Sequence, residues 1–228
     1  MWKSILNIWK SDNLLEQAWN ESFEMLEITY EMFCEAISVL RESEHTIIKK
    51  EIKHKDIKVN NFQRDVRRKV MTHCTIQGPN DLPGGLVLIN IVIDIERIGD
   101  YTKNIVDLAT IYPARLDGGL FEESLKKIED SVKDNFSRTK KYLEASDESG
   151  AKILLNEYKW INPECDQRSF EIIQEKDRTI GGGKAATLAL YFRWLKRVNS
   201  HLRNITTSIV NPFDQIGYTK KGNIEVDT

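Results

Sequence analysis

Apolar residues recur along most of the chain at steps of three, four or seven, and polar residues fill the positions between them. This spacing places the apolar side chains on one face of an α-helix, which repeats every 3.6 residues. The first such stretch runs from Leu15 to Leu40 and predicts a helix of about thirty residues, roughly 45 Å long. No strand-like alternation of any length competes with the helical pattern, so the predicted fold class is all-α.

Breaks rich in glycine and proline divide this pattern into six long helices. The break "QGPNDLPGG" precedes the third helix, and "TIGGGKAA" precedes the sixth helix at the corresponding place later in the chain. Pro163 predicts an irregularity in the fifth helix, because proline disfavours a continuous helix. The six predicted helices cover roughly residues 15–40, 48–70, 86–111, 121–143, 152–176 and 185–210.

The third and sixth helices share residues at a fixed spacing. "DIERIGDYTKNI" (94–105) contains Arg97, Asn104 and Ile105, and "WLKRVNSHLRNI" (194–205) has the same residue types 100 positions later. Both copies follow a glycine break, so internal duplication explains the match better than chance does. We therefore predict two three-helix units packed as a helical bundle. They are a first repeat with an N-terminal amphipathic segment (1–112), a second, diverged repeat (113–212) and a flexible tail (213–228).

Composition narrows the class of protein further. The 228 residues are 40% hydrophobic and 30% charged, as in ordered globular proteins, and the formal net charge is −2. That balance gives no push toward nucleic acid, whose binders carry a concentrated basic surface. The three cysteines form no CxxC pair, which argues against a zinc cage or a disulfide framework and fits a reducing compartment. No signal peptide and no apolar run long enough to span a membrane is evident, so we expect a cytoplasmic location.

Three polar residues interrupt the apolar third helix. Glu96, Asp100 and Asn104 stand four residues apart, so they lie on one ridge of the helix. Two carboxylates at this spacing repel each other by roughly 0.2–0.5 kcal/mol, and a bound cation would remove that cost. Hard or borderline cations such as Mg²⁺, Mn²⁺, Ca²⁺ or iron take carboxylate oxygens readily. Alternatively, the two acids pair with Arg97, Lys103 or a basic residue of the second helix.

"ERIGDYTKNI" resembles the signature of the PhoU family of phosphate-uptake regulators, and "LKRVNSHLRNI" resembles a decayed copy of it. The duplicated three-helix layout is similar to that family over roughly residues 13–210. The resemblance implies a six-helix fold of two three-helix bundles, usually dimeric. It also implies metal binding through E/DxxxD motifs and control of a phosphate transporter and its sensor kinase.

The metal site implied by the resemblance carries over residue by residue. Glu96 and Asp100 match the metal-binding carboxylates of the signature. "DIKVNNFQRDV" on the second helix resembles the family's partner segment, which adds Asp56 as a ligand. The resemblance places Asn104, Asn60 and Arg97 around these ligands. Gln63 stands where the family often has an acid, which removes one negative charge from the site. The expected cofactor is therefore one divalent or iron-type metal ion: Fe, Zn, Mg, Mn or Ca.

The second repeat departs from the signature at the metal ligands. Lys196 replaces the glutamate and Ser200 the aspartate, while Arg197 and Asn204 remain. A lysine ammonium repels a divalent cation. We therefore expect a degenerate second site at these four residues, where Lys196 instead faces an acid of the fifth helix such as Glu157 or Asp166.

Two further stretches of the sequence each allow two interpretations. The second helix has a run of basic residues, which is either a solvated face or a docking surface for acidic proteins or lipids. The N-terminal segment places Trp2, Ile5, Leu6 and Trp9 on one side of a short helix. That side either packs over the end of the bundle or makes peripheral contact with a membrane.

The resemblance implies a regulator with no catalytic activity of its own. Its partners would be a phosphate transporter, a sensor kinase, or both, with a homodimer as the expected assembly and no nucleic acid. One alternative is a metal-dependent enzyme built in a helical bundle. The other is a purely structural adaptor of the same fold.

Overall fold

The protein is built from helices. The computed structural model describes residues 13–42 and 48–218, and these residues include no β-strand. Three short 3₁₀ turns, Pro79–Asp81, Gly119–Phe121 and Phe213–Gln215, accompany the α-helices. The α-helices are α1 (Leu14–Arg41), α2 (Ile48–Gln77), α3 (Leu82–Ile111), α4 (Glu122–Ala145), α5 (Glu148–Glu157), α6 (Ile161–Ile173) and α7 (Gly182–Val210).

The predicted fold class is confirmed. Helices α5 and α6 together take the place of the fifth predicted helix, and each of the other five predicted helices is a single long helix in the structure. The pattern succeeds because each helix buries one apolar stripe in a shared core. On α1, for example, Leu15, Met25, Met32 and Phe33 are fully buried, and Asn13 caps the helix by accepting hydrogen bonds from the first backbone amides.

Helix α3 begins earlier than the sequence predicts, at Leu82 rather than near Leu86. Pro83 lies in the first turn, where its missing N–H would have had no helical partner. Gly85 lies inside the helix because α2 passes very close: a Cβ atom at this position would be 2.7 Å from Val70 Cγ1. The glycine therefore marks close helix packing as well as a loop.

The fifth predicted helix is broken and starts earlier than predicted. Helix α5 begins at Glu148 because Asp147 caps it, accepting a hydrogen bond from Gly150 N at 2.9 Å. A turn at residues 158–160 separates α5 from α6, just before Pro163, which lies in the first turn of α6. The predicted irregularity is therefore a full break between two short helices.

The helices pack in two groups of three that meet along α3 and α7. Helices α1, α2 and α3 contact one another, and α7 packs against α4, α5 and α6. Between the groups, α3 lies against α7 and α1 lies against α4. The helices thus pack in two groups of three, as the repeated three-helix layout predicts, and the division of the chain into residues 1–112 and 113–212 stays a prediction.

A buried ionic cluster joins the two groups at one end of the bundle. Arg41, the last residue of α1, places its Nε atom 3.1 Å from Glu129 Oε1 on α4. Tyr191 of α7 donates a hydrogen bond to the same carboxylate at 2.7 Å. Burial raises the pKa of Glu129 and raises that of Tyr191 well above its usual value. The cluster thus links α1, α4 and α7 through groups that would be costly to bury alone.

The ends of the chain are described only in part. The start of the predicted tail forms a 3₁₀ turn and then doubles back on α7, where Gly217 N donates a hydrogen bond to Thr207 Oγ1 at 2.8 Å. Residues 219–228 lie outside the described residues, as does the N-terminal segment with its two tryptophans. Within residues 13–42 and 48–218, no helix has the length and apolar content needed to cross a membrane.

Gly85 provides a test of the close approach between α2 and α3. Gly85→Ala should lower the free energy of unfolding by about 1–3 kcal/mol, because the buried Val70 side chain has little room to move. Gly183→Ala is the matched control in the first turn of α7. A Cβ atom there meets nothing within 4 Å. The control should be neutral or stabilise by up to about 1 kcal/mol, because alanine favours helix more than glycine does.

Urea unfolding of both variants measures these changes. Equal effects of the two substitutions would mean that α2 and α3 are not in close contact at Gly85.

Candidate charged site on helix α3

Helices α2 and α3 bring the predicted metal-site residues together. Glu96 and Asp100 lie on the ridge of α3 that faces α2, and Asp56 projects from α2 toward them. The ridge is half-buried because Ile95 and Ile98, on either side of it, are fully buried in the core. The three carboxylates therefore lie where water can offset their charge only in part.

Lys103 joins two of these carboxylates. Its Nζ atom is 2.9 Å from Asp56 Oδ1 and 2.9 Å from Asp100 Oδ1. The Asp56 side chain is only 13% exposed, so this contact is less weakened by solvent than a surface ion pair would be. Asp56 and Asp100 together raise the pKa of Lys103 although burial opposes the change. The ammonium group is thus the cation that neutralises these two acids.

Glu96 has weaker compensation than its neighbours. Its nearest cation is Arg97, with Nε 3.7 Å from Glu96 Oε2, and its side chain is 17% exposed. Burial raises the pKa of Glu96, and the charge of Asp100 raises it further. Arg97 and Lys103 offset these effects only in part. Glu96 is therefore the carboxylate of the site whose charge is least well balanced.

A metal ion bound by Glu96, Asp100 and Asp56 would have to displace the Lys103 side chain. Lys103 Nζ occupies the space between Asp56 and Asp100 that the ion would need. In the part of the chain that the structure describes, no group of three or more His, Cys, Asp or Glu side chains could hold a metal. The sequence analysis offered pairing with Lys103 as the alternative to metal, and the geometry corresponds to that alternative.

The residues expected around the ligands have separate roles. Asn60 donates a long hydrogen bond to Asp56 at 3.3 Å, which holds that carboxylate from its own helix. Arg97 is largely exposed and donates a hydrogen bond to Asp100 at 3.1 Å. Asn104 makes no contact with the three carboxylates and lines a neighbouring cavity of about 520 Å³ together with Asp107.

The four residues of the predicted second site fall into two separate groups. Lys196 and Ser200 face α6, where Lys196 Nζ is 2.5 Å from Asp166 Oδ2, the pairing expected for this lysine. Asn162 of α6 donates a hydrogen bond to the Ser200 hydroxyl at 2.9 Å. Arg197 and Asn204 face the opposite way, toward α3, so the four residues do not form one site.

A buried acid on α3 explains where Asn204 points. Asp94 Oδ1 accepts a hydrogen bond from Asn204 at 3.0 Å and lies 2.7 Å from His201 Nδ1. Arg197 donates a hydrogen bond to the Tyr101 hydroxyl at 2.9 Å, and the Tyr101 ring stacks on that of His201. Sequence reasoning overlooked Asp94 and Tyr101. The available signal was a carboxylate in an apolar run, seven residues from a tyrosine on the same face of α3.

A protein-family model matches the first group of helices. Residues 23–109 match the family model described as the PhoU domain. This part of the chain is therefore similar to a PhoU domain. This match covers most of α1, all of α2 and nearly all of α3, and it includes Asp56, Glu96, Asp100 and Lys103. The resemblance seen in the sequence is thereby confirmed.

Solved structures extend the PhoU fold over most of the chain. PhoU from Pseudomonas aeruginosa superposes with a TM-score of 0.77 at 18% identity, covering 86% of this chain and 95% of that protein. The phosphate transport system regulatory protein PhoU from Streptococcus pneumoniae gives a TM-score of 0.75 at 16% identity, covering 86% of this chain and 92% of that protein. No curated protein sequence matches the chain.

The raised pKa of Glu96 leads to a prediction about how stability depends on pH. Because its pKa is raised in the folded state, the ionised carboxylate destabilises the fold at neutral pH, and Glu96→Gln should stabilise it. We expect a gain of a few tenths of a kcal/mol, the usual scale for relieving like charges one helical turn apart. The gain should vanish below about pH 4, where the carboxyl is protonated in both folded and unfolded chains.

Urea unfolding at neutral pH and near pH 3.5 measures this effect. Glu144→Gln, at an exposed position of α4, is the matched control and should change little at either pH. A loss of stability in Glu96→Gln at neutral pH would show that the Glu96 charge has a partner that the present account lacks.

Proposed function

We propose that this protein regulates phosphate transport, or signalling that responds to phosphate, through contact with a phosphate transporter or its sensor kinase. The observation that carries the proposal is the match over 86% of the chain to a PhoU described as a phosphate transport system regulatory protein. The match of residues 23–109 to the PhoU domain model supports the proposal independently. The role would be to restrain phosphate import when phosphate is plentiful.

The basic run of α2 divides into residues that pair with α1 in partly buried contacts and residues that lie exposed on the surface. Lys55 Nζ is 2.5 Å from Glu35 Oε1 and 3.1 Å from Glu31 Oε2 on α1, and Lys69 pairs with Glu21. These pairs hold α1 against α2. Other basic residues of the run face solvent, and we propose that they form the docking surface for an acidic partner. This surface, called the basic face of α2, consists of Lys53, Lys58, Arg64, Arg67 and Arg68.

A metal ion at Glu96, Asp100 and Asp56 stays a prediction of the family resemblance. Such an ion would compete with Lys103 for the oxygens of Asp56 and Asp100. The proposed regulatory contact does not require it, because the bundle presents the basic face of α2 whether or not the charged site holds a metal. A homodimer and a cytoplasmic location also stay predictions.

The two alternative functions, a metal-dependent enzyme and a structural adaptor, would require different features of the protein. A metal-dependent enzyme would need a convergent ligand set, and residues 13–42 and 48–218 offer no observation that favours one. A structural adaptor would share every feature of the bundle, so only an effect on phosphate handling distinguishes it from a regulator.

The regulatory proposal predicts that loss of the protein raises phosphate uptake. Deleting the gene from the cells that make the protein should increase uptake of radiolabelled phosphate in phosphate-rich medium, because the restraint on import is removed. Wild-type protein supplied in trans should restore the lower rate. Unchanged uptake in both rich and phosphate-starved cells would contradict the proposal and favour the structural adaptor.

The same cells test the docking surface. Tagged protein, cross-linked in place and recovered from membranes, should carry a phosphate transporter subunit or a sensor kinase. Reversing two charges of the basic face, with Lys53→Glu and Arg67→Glu, should reduce that recovery. Lys141→Glu on the exposed side of α4 is the control and should leave it unchanged. Equal recovery with both sets of variants would show that another surface makes the contact.

A further inference from the structure

Each group of helices contains a cavity, and the two cavities lie at equivalent positions. The first cavity, of about 340 Å³, lies between α2 and α3 and is lined in part by Ile52, Asp56, Lys103 and Asp107. The second, of about 520 Å³, lies between α5 and α7, and its lining includes the residues 100 positions later, Lys152, Asn156, Arg203 and Thr207. Helices α2 and α5 start 100 residues apart, as do α3 and α7, which supports the correspondence.

Charge differs sharply between the two cavities. Asn156 replaces Asp56 and Thr207 replaces Asp107, so both carboxylates are lost, while Lys152 replaces the apolar Ile52. Arg203 retains the positive charge of Lys103, and Lys159 adds another. The second cavity therefore has three cationic side chains and no carboxylate among its lining residues.

Arg203 has lost the partners that its counterpart keeps. Lys103 is held by Asp56 and Asp100, whereas the equivalent positions near Arg203 are Asn156 and Ser200. No described residue forms an ion pair or a side-chain hydrogen bond with the Arg203 guanidinium. Arg203 is half-buried, and desolvation lowers its pKa with no opposing contribution from a carboxylate. A guanidinium taken partly out of water without an acid beside it favours an anion from solution.

The cavity walls also indicate the kind of anion. Leu155 and Val210 supply apolar surface, and the Tyr218 ring, 71% exposed, stands at the edge of the cavity. A volume of about 520 Å³ lies within the usual range for sites of small organic ligands and is far larger than one phosphate group needs. Three cations match the charge of a chain of phosphates better than that of a single one.

We propose that this cavity binds a small molecule through a di- or triphosphate group, with Arg203, Lys152 and Lys159 as the phosphate-contacting residues. The apolar wall is suited to the organic part of a nucleotide, and the cationic wall takes the phosphates. The proposal does not rest on the regulatory role, since it depends only on the charge and shape of the cavity.

Calorimetric titration of the full chain at low ionic strength tests the proposal. The probes are pyrophosphate, tripolyphosphate, ADP, ATP and orthophosphate. We expect one site per chain, weaker binding of orthophosphate than of the longer phosphates, and loss of affinity as salt is added. Tighter binding of the nucleotides than of the inorganic chains would assign a role to the apolar wall, and equal binding would assign recognition to the phosphates alone. Both results support the site.

Substitutions among the residues that line the cavity test whether the phosphates bind there. Arg203→Gln should weaken it by about ten- to hundredfold, the range expected for loss of a charge-assisted contact. The exposed pair Lys152→Gln and Lys159→Gln should also weaken it and carries less risk to folding. Asn156→Asp should weaken it too, because it restores the carboxylate that the first cavity has. Lys141→Gln, on the exposed side of α4, should change affinity by less than about twofold.

Two results would overturn the proposal. One is the absence of binding by every probe. The other is binding that survives both Arg203→Gln and the lysine pair in folded protein, as judged by circular dichroism, which would place the anion on another basic surface such as that of α2.

Discussion

Helix α3 packs against α1, α2 and α7 at once, and this constraint shapes the chemistry of the first group of helices. Its apolar residues fill the core, so its polar side chains are confined to ridges between neighbouring helices. Charges on such ridges are only half solvated and need partners within the protein. The ridge facing α2 meets this need with Lys103, and the ridge facing α7 meets it with His201 and Asn204 around Asp94.

The two groups of helices share a geometry but differ in how they balance charge. In the first, Lys103 lies between Asp56 and Asp100, so the site is neutralised from within. In the second, Lys196 takes Asp166 as its partner, while Arg203 keeps none of the acids that Lys103 has. The absence of carboxylates at the equivalent positions thus accounts for both the departure of the second repeat from the signature and the positive charge of the cavity beside it.

The sequence predicted the fold better than it predicted the site. Residues such as Leu15, Met25 and Phe33 recur at helical spacing, and local periodicity suffices to place them in a core. The first residues of α3 and α5, Leu82 and Glu148, were harder to predict. They depend on Pro83 and on the Asp147 cap, which act within a single helical turn. Periodicity could not show that Lys103 reaches Asp56, because that contact depends on the distance between two helices. Asp94 was overlooked for the same reason: its partners lie more than 100 residues away.

The central claim is that Lys103, rather than a metal ion, provides the cation between Asp56 and Asp100. Anomalous diffraction from crystals of the full chain grown with Mn²⁺ tests it most directly. The account predicts Lys103 Nζ within hydrogen-bonding distance of both carboxylates and no manganese signal among them. A manganese peak coordinated by Asp56, Glu96 and Asp100, with the Lys103 side chain turned away, would contradict it.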